Sequence, residues 1–304
     1  MDRRTFVRGL GAALATAPAA VALGCARSSS ASTAGGASSA AAASTTAGNR
    51  RLKRVGIQLY TLRDAAGRDL ERTLADIAQA GYNDVELLGS MSNFGMAPDR
   101  LRQVLDRNGL RAPSTHVGAG ILDDLDRNLD VAKTLGHEYL TIASFPEERR
   151  KSLDDYRYWA DRMNQGGQAA RRRDVWLAFH NHADDFAPLP GGSEVPYDVF
   201  TQRTDPSVVR LQLDTGNLAM AGRDPIEYMR RFGPRYWSFH IKDVPSLGAH
   251  NDTELGKGVL DFKRLLGMID RIDEKHLFVE QETYPGDPLD SVRRDHAYIS
   301  TLTF

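Results

Sequence analysis

Four short stretches in the second half of the chain combine the side chains that hold metal ions: Phe179-His180-Asn181-His182, Leu213-Asp214-Thr215-Gly216-Asn217, His240-Ile241-Lys242-Asp243 and Val279-Glu280-Gln281-Glu282. Each lies at the C-terminal end of a β-rich run. Side chains alternate along a strand, so His180 shares a face with His182, Asp214 with Gln212, His240 with Lys242 and Glu280 with Glu282. Glu86 and His116 stand at equivalent ends of earlier runs. Carboxylates and imidazoles gathered this way cost desolvation and repulsion unless a cation neutralises them. One divalent metal ion is the simplest account, and mixed oxygen and nitrogen donors with open positions suit Mn, Mg, Co or Zn.

The elements that must position these residues alternate in type. Candidate strands are Val55–Tyr60, Asp84–Leu88, Ala112–His116, Tyr139–Ala143, Val175–His180, Val208–Asp214, Trp237–Ile241 and Leu277–Gln281. Between them, apolar residues recur at helical spacing, as in Leu70, Leu74 and Ile77 or Leu101, Val104 and Leu105. Gly81, Gly109 and Gly136 follow three of these helices where a left-handed cap is wanted, and Asp287-Pro288 opens the last with an N-cap and a first-turn proline. Eight such units close most naturally into a single α/β (β/α)8 TIM barrel, whose active site lies at the C-terminal ends of the strands. The runner-up, a doubly wound open sheet, needs a Gly-rich nucleotide turn after an early strand, and the sequence has none.

Composition narrows the function. The 304 residues are 26% charged and 41% hydrophobic, which excludes disordered and collagen-like chains, and a single cysteine excludes an intrachain disulfide. The first 50 residues are a different polymer, rich in Ala, Ser, Gly and Thr, with one acid and five arginines. The remaining 254 carry 34 basic and 39 acidic side chains, a formal charge of −5 against −1 for the whole chain. That argues against a nucleic-acid partner, whose phosphates would call for Lys and Arg.

Asp2-Arg3-Arg4-Thr5-Phe6, followed by a mildly apolar run, resembles a twin-arginine export signal. The run is too short and too weakly apolar to read as a transmembrane span. Cys25 ends it in Val21-Ala22-Leu23-Gly24-Cys25, which resembles a lipoprotein processing site, with ordinary cleavage nearby as the alternative. The expected organisation is therefore a signal over 1–25 with lipidation at Cys25, a flexible Ser/Ala/Gly linker over 26–51 and the barrel over 52–304. The expected location is the periplasm or the envelope, with the membrane touched only through Cys25. Nothing in the sequence fixes an oligomeric state.

Taken in order, the stretch Val55 to Arg63 (VGIQLYTLR), the four stretches above and Gly256-Lys257-Gly258 are similar to the xylose isomerase-like TIM barrels, which include sugar isomerases and epimerases, inosose dehydratase and endonuclease IV. The resemblance implies one metal held from strands five to eight, here by His180 or His182, Asp214, His240 and Glu280. Many epimerases carry Glu at the fifth-strand position. It further implies a sugar substrate that loses a proton beside a carbonyl through an enediolate, with Glu280, Glu282 or the spare histidine as base. Return of the proton gives an isomer or epimer, the leading expectation. Departure of a β-leaving group gives a dehydratase, hydratase or lyase, the alternative.

Lys242 is expected to reach a substrate oxygen or to form a rim ion pair. Glu86, His116 and Tyr60 are candidates for substrate contact, Tyr60 reading also as barrel wall together with Trp237 and Phe179. His137, His250, His276 and His296 are assigned no role. The absence of a Gly-rich phosphate cradle favours an unphosphorylated or keto-sugar. The endonuclease IV pattern has a His three residues beyond the sixth-strand Asp, where this chain has Asn217. A non-catalytic sugar-binding lipoprotein is the remaining rival.

Overall fold

A computed structural model describes residues 49–304. The expected signal, Cys25 and the linker up to residue 48 lie outside the described residues. The chain is already engaged at Arg50, two residues before the expected start of the barrel: its backbone exchanges hydrogen bonds of 3.1 and 3.0 Å with Phe304. Among the described residues no helix is long and apolar enough to cross a membrane.

Eight strands form a closed, all-parallel barrel in sequence order: β1 Gly56–Gln58, β2 Asp84–Leu88, β3 Arg111–Val117, β4 Tyr139–Ile142, β5 Trp176–His180, β6 Val209–Asp214, β7 Tyr236–Ile241 and β8 His276–Val279. β1 closes the ring by pairing with β8. Helices Leu70–Gln79, Pro98–Arg107, Leu125–Leu135, Leu153–Arg171, Pro196–Arg203, Pro225–Phe232, Phe262–Gly267 and Pro288–Thr301 cover the outside. Their starts follow from sequence: Asp69, Asp261 and Asp287 accept backbone N–H groups of the first turn, and Ser152 with Asp155 forms a capping box. Gly81, Gly109 and Gly136 take positive φ where three helices end.

The apolar core is the layer between barrel and helices, where residues such as Ile57, Val85, Leu211 and Phe239 meet Leu74, Leu101 and Leu265, all fully or nearly fully buried. Phe179 belongs to it, stacked 4.6 Å from Phe145. The N-terminal end of the barrel is plugged by Arg210, whose guanidinium lies 3.6 Å from the ring centres of both Trp176 and Trp237.

β1 and β8 stop two residues before their expected C-terminal ends, and in both a side chain takes the backbone out of the ladder. Gln58 Oε1 accepts the N–H of Tyr60 at 3.1 Å, which turns Leu59–Leu62 into a 3-10 helix. The Glu280 N–H still donates to Ile241 on β7, but the following N–H groups turn elsewhere: Gln281 donates to Thr61, and Glu282 and Thr283 donate to the Asp252 carboxylate at 2.6 and 2.8 Å.

Candidate metal centre

The site is built upward from a polar floor inside the barrel. Glu86 on β2 is 0% exposed and its carboxylate accepts from Gln58 Nε2 at 2.7 Å, Ser114 Oγ at 2.5 Å, Gln212 Nε2 at 2.9 Å and His240 Nε2 at 2.5 Å. Glu86, a candidate for substrate contact by its strand-end position, is thus fully buried and does not line the mouth. Its register partner on β3 is Ser114, a layer below His116, so a floor of side chains separates it from the barrel mouth. Gln212 Oε1 in turn accepts from His116 Nε2 and His180 Nδ1, each at 2.9 Å.

Above the floor, β5 to β8 bring His180, Asp214, His240, Lys242 and Glu280 together. Asp214 is 0% exposed. Its Oδ1 accepts the N–H of Asn217 at 2.7 Å and so caps the short helix Thr215–Met220. Its Oδ2 has no hydrogen bond and faces Lys242 Nζ at 3.2 Å, His240 Nδ1 at 3.7 Å and His180 Nε2 at 3.9 Å. Glu280 Oε2 accepts from His240 Nδ1 and from Lys242 Nζ, both at 2.9 Å. Donor atoms of Asp214, His240 and Glu280 lie within 4.8 Å of one another, as do those of His116, His180 and His240. A fully buried carboxylate oxygen that has no hydrogen bond, pairs only with an ammonium and stands amid imidazole and carboxylate donors is the chemistry of a cation site, so these residues fit a divalent ion.

Of the two fifth-strand histidines, His180 faces Asp214 and His240. His182 lies farther out, only half-buried, its ring 4.8 Å from that of His180 and its Nδ1 without a partner. It lines the mouth, a cavity of about 280 Å³ that also exposes parts of Tyr60, His116, Lys242, Glu280 and Glu282. Lys242 reaches across to Glu282 Oε1 at 2.7 Å, so its ammonium bridges three carboxylates.

The charges follow from these contacts. Burial opposes ionisation throughout, but His116 and His240 bring the Glu86 carboxyl down to about 2, and Lys242 and His240 hold Glu280 well below the usual carboxylate range. Against the same burial, Glu280 and Glu86 push His240 well above an ordinary imidazole, and Asp214, Glu280 and Glu282 do so for Lys242. Burial and the neighbouring imidazoles keep His180 well below its usual value, hence neutral.

The uncharged letters of the motifs set the geometry. Asn181 clamps the backbone of Asp214 from both sides, accepting its N–H at 2.9 Å and donating to its carbonyl at 3.1 Å. Asn217 donates to the carbonyl of Asn181 at 3.2 Å. A Cβ at Gly216 would run into the Lys242 stem. Asp243 accepts the N–H groups of Val244, Gly256, Gly258 and Leu260, gathering the loop after β7, and a Cβ at Gly258 would strike that carboxylate. Asp243, expected to orient Lys242 or to pair with it at the rim, instead has its carboxylate engaged by backbone N–H groups; the others have no reactive chemistry to announce them, and only their places within the motifs could have marked them. His137 and His276 are buried in structural bonds, to the Ala112 carbonyl and to Glu138.

Residues 74–302 match the model of the xylose isomerase-like TIM barrel family. An inosose dehydratase of Geobacillus kaustophilus is 25% identical over 198 residues, covering 57% of this chain and 62% of the relative. The matched stretch thus spans about three fifths of that relative's length. Among solved structures, a sugar phosphate isomerase/epimerase from Parabacteroides distasonis superposes with a TM-score of 0.70 at 23% identity, covering 85% of this chain and 98% of its own. The IOLI protein with a bound zinc atom superposes with a TM-score of 0.63 at 14% identity, covering 80% and 95%. At these identities the two structures share the fold.

Proposed function

Because this chain belongs to the xylose isomerase-like TIM barrel family, we propose that it is a divalent-metal-dependent enzyme that removes a proton beside the carbonyl of an unphosphorylated keto-sugar or keto-cyclitol. The observation that carries this reading is the Oδ2 of buried Asp214, which has no hydrogen bond, pairs with the Lys242 ammonium and is ringed by His180, His240 and Glu280. Those four residues would hold the ion. The ion supplies Lewis acidity, polarising a substrate carbonyl and an adjacent hydroxyl. Glu282, partly exposed at the mouth, is the base, and Lys242 at 2.7 Å from it is the acid that meets a substrate oxygen.

This arrangement favours elimination of water. Base and acid stand together on the β7 and β8 side, suited to taking a proton and protonating a departing hydroxyl, while the fifth-strand position carries the neutral imidazole of His180 rather than a second carboxylate. The inosose dehydratase relative supports the same outcome. Isomerisation or epimerisation is the second reading. It is favoured by His182, which lines the mouth on the β5 side and could return the proton to the other face. With residues 1–25 as an export signal ending at a lipidated Cys25, substrates would be met outside the cytoplasm.

The test is incubation of metal-loaded protein with an inosose and with unphosphorylated keto-hexoses in deuterium oxide, followed by NMR. Elimination gives loss of one water and a new conjugated carbonyl. Epimerisation gives deuterium at a stereocentre with the carbon skeleton intact. Protein that retains no divalent ion and exchanges no carbon-bound proton in any of these compounds refutes the proposal.

A further inference from the structure

We infer that Gln212, fixed in one orientation by Glu86, selects the tautomer of His180 and so decides which of its nitrogens is offered to the metal. The chain of argument starts from an acceptor. A carboxylate can only accept hydrogen bonds, and Glu86 faces the Gln212 amide at 2.9 Å. The Gln212 nitrogen must therefore point at Glu86. The flipped amide would set two acceptor oxygens against each other in a site closed to water.

With the nitrogen so placed, Oε1 points at His180 Nδ1 and His116 Nε2, both at 2.9 Å. A carbonyl oxygen also only accepts, so both imidazole nitrogens carry hydrogen. His180 Nε2 in turn stands 3.5 Å from the Asn217 amide nitrogen, a donor fixed in place by the Asn181 carbonyl, so Nε2 is the nitrogen that carries the lone pair. That atom is the one facing Asp214 Oδ2, at 3.9 Å. Glu86 acts on His240 directly in the same sense: by accepting from Nε2 at 2.5 Å it leaves Nδ1 as the nitrogen on the Asp214 and Glu280 side. One buried carboxylate, acting directly on His240 and through a neutral amide on His180, thus presets two prospective ligands from beneath. Gln212 and Glu86 are positioning residues; neither lines the mouth.

The inference rests on the proposed metal site for its consequence but not for its primary readout. Metal-free protein with 15N-labelled imidazoles, studied by long-range proton–nitrogen NMR, should show His180 with hydrogen on Nδ1. In Gln212→Leu the hydrogen should shift toward Nε2, and zinc affinity, measured by chelator competition, should fall by about 10–100-fold, the usual effect of losing a partner behind a ligand. The exchange variant Glu86→Gln/Gln212→Glu keeps an amide donor facing a carboxylate that accepts from both imidazoles. It should restore the Nδ1–H tautomer of His180, a recovery that a purely space-filling role would not produce. Hydrogen on Nε2 of His180 in the unaltered protein, or a tautomer unchanged in a folded Gln212→Leu, overturns the inference. An Nδ1–H tautomer in protein that binds no zinc supports the inference and counts against the proposed function instead.

Discussion

Lys242→Met is the sharpest test of how the site is balanced without its ion. The ammonium is 1% exposed and lies 3.2 Å from Asp214 Oδ2, 2.9 Å from Glu280 Oε2 and 2.7 Å from Glu282 Oε1. Glu282 is partly solvated, so its pairing contributes little. Asp214 and Glu280 are buried, and removing the ammonium leaves Asp214 without its nearest cation and Glu280 with His240 alone, which costs about 3–5 kcal/mol. For a domain of this size, about 2–4 °C of Tm accompanies each kcal/mol, so in chelator Tm should fall on the order of 10 °C. A divalent ion that binds only the folded state stabilises by about 4 kcal/mol at a thousand times its Kd. In the variant that ion meets an Asp214 carboxylate stripped of its ammonium and a Glu280 held by His240 alone, whereas in the unaltered protein it must compete with the ammonium. Manganese titrated into a thermal-melt assay should therefore raise the Tm of the variant more than that of the unaltered protein and narrow the gap between them. Equal Tm values in chelator, or a smaller metal-induced rise in Lys242→Met, would refute the view that Lys242 and the metal serve the same carboxylates.

Three further outcomes are expected. Gly216→Ala pushes a methyl into the Lys242 stem; overpacking of this kind costs about 1–3 kcal/mol, and turnover should drop with little change in the circular dichroism spectrum. Asp295 is buried, with one oxygen bonded to the N–H of Leu255 and the other unpartnered. Burial, then the charge of Glu254, pushes its carboxyl up to about 7. The unfolded chain ionises near 3.9, so the folded state loses stability as pH rises from there to about 7, by up to about 4 kcal/mol, and no further above it. Asp295→Asn mimics the protonated form. Its Tm advantage should be larger at about pH 8 than at about pH 5, and an advantage independent of pH contradicts the assignment. Cys25→Ser should move the protein from the membrane fraction to the soluble exported fraction, as followed by fractionation and immunoblot; unchanged partitioning argues against a lipid anchor there.

The architecture was legible because hydrophobic periodicity and caps are local properties. Val85, Leu87, Leu211 and Phe239 alternate with polar neighbours over a few residues, and Gly136 marks its helix end by position alone. What the alternation does not carry is depth along the barrel axis. Parity places Glu86 and His116 on inward faces alike, yet their heights depend on the register between β2 and β3, where Glu86 pairs with Ser114 and Leu88 with His116. That register is a property of the closed ring, set by long-range contacts, so a residue that reads as reaching substrate becomes the floor that holds His240. The same reasoning explains why the reactive letters of the motifs were visible and their companions were not. His180, Asp214 and Glu280 declare their chemistry by type. Asn181 and Gln212 act only through partners 33 and 32 residues away in Asp214 and His180, and an amide can serve as donor or acceptor until its neighbours choose. In this barrel the chooser is Glu86, a fully buried acid that does not line the mouth, and the ordering it imposes runs upward through neutral side chains to the nitrogens that face Asp214.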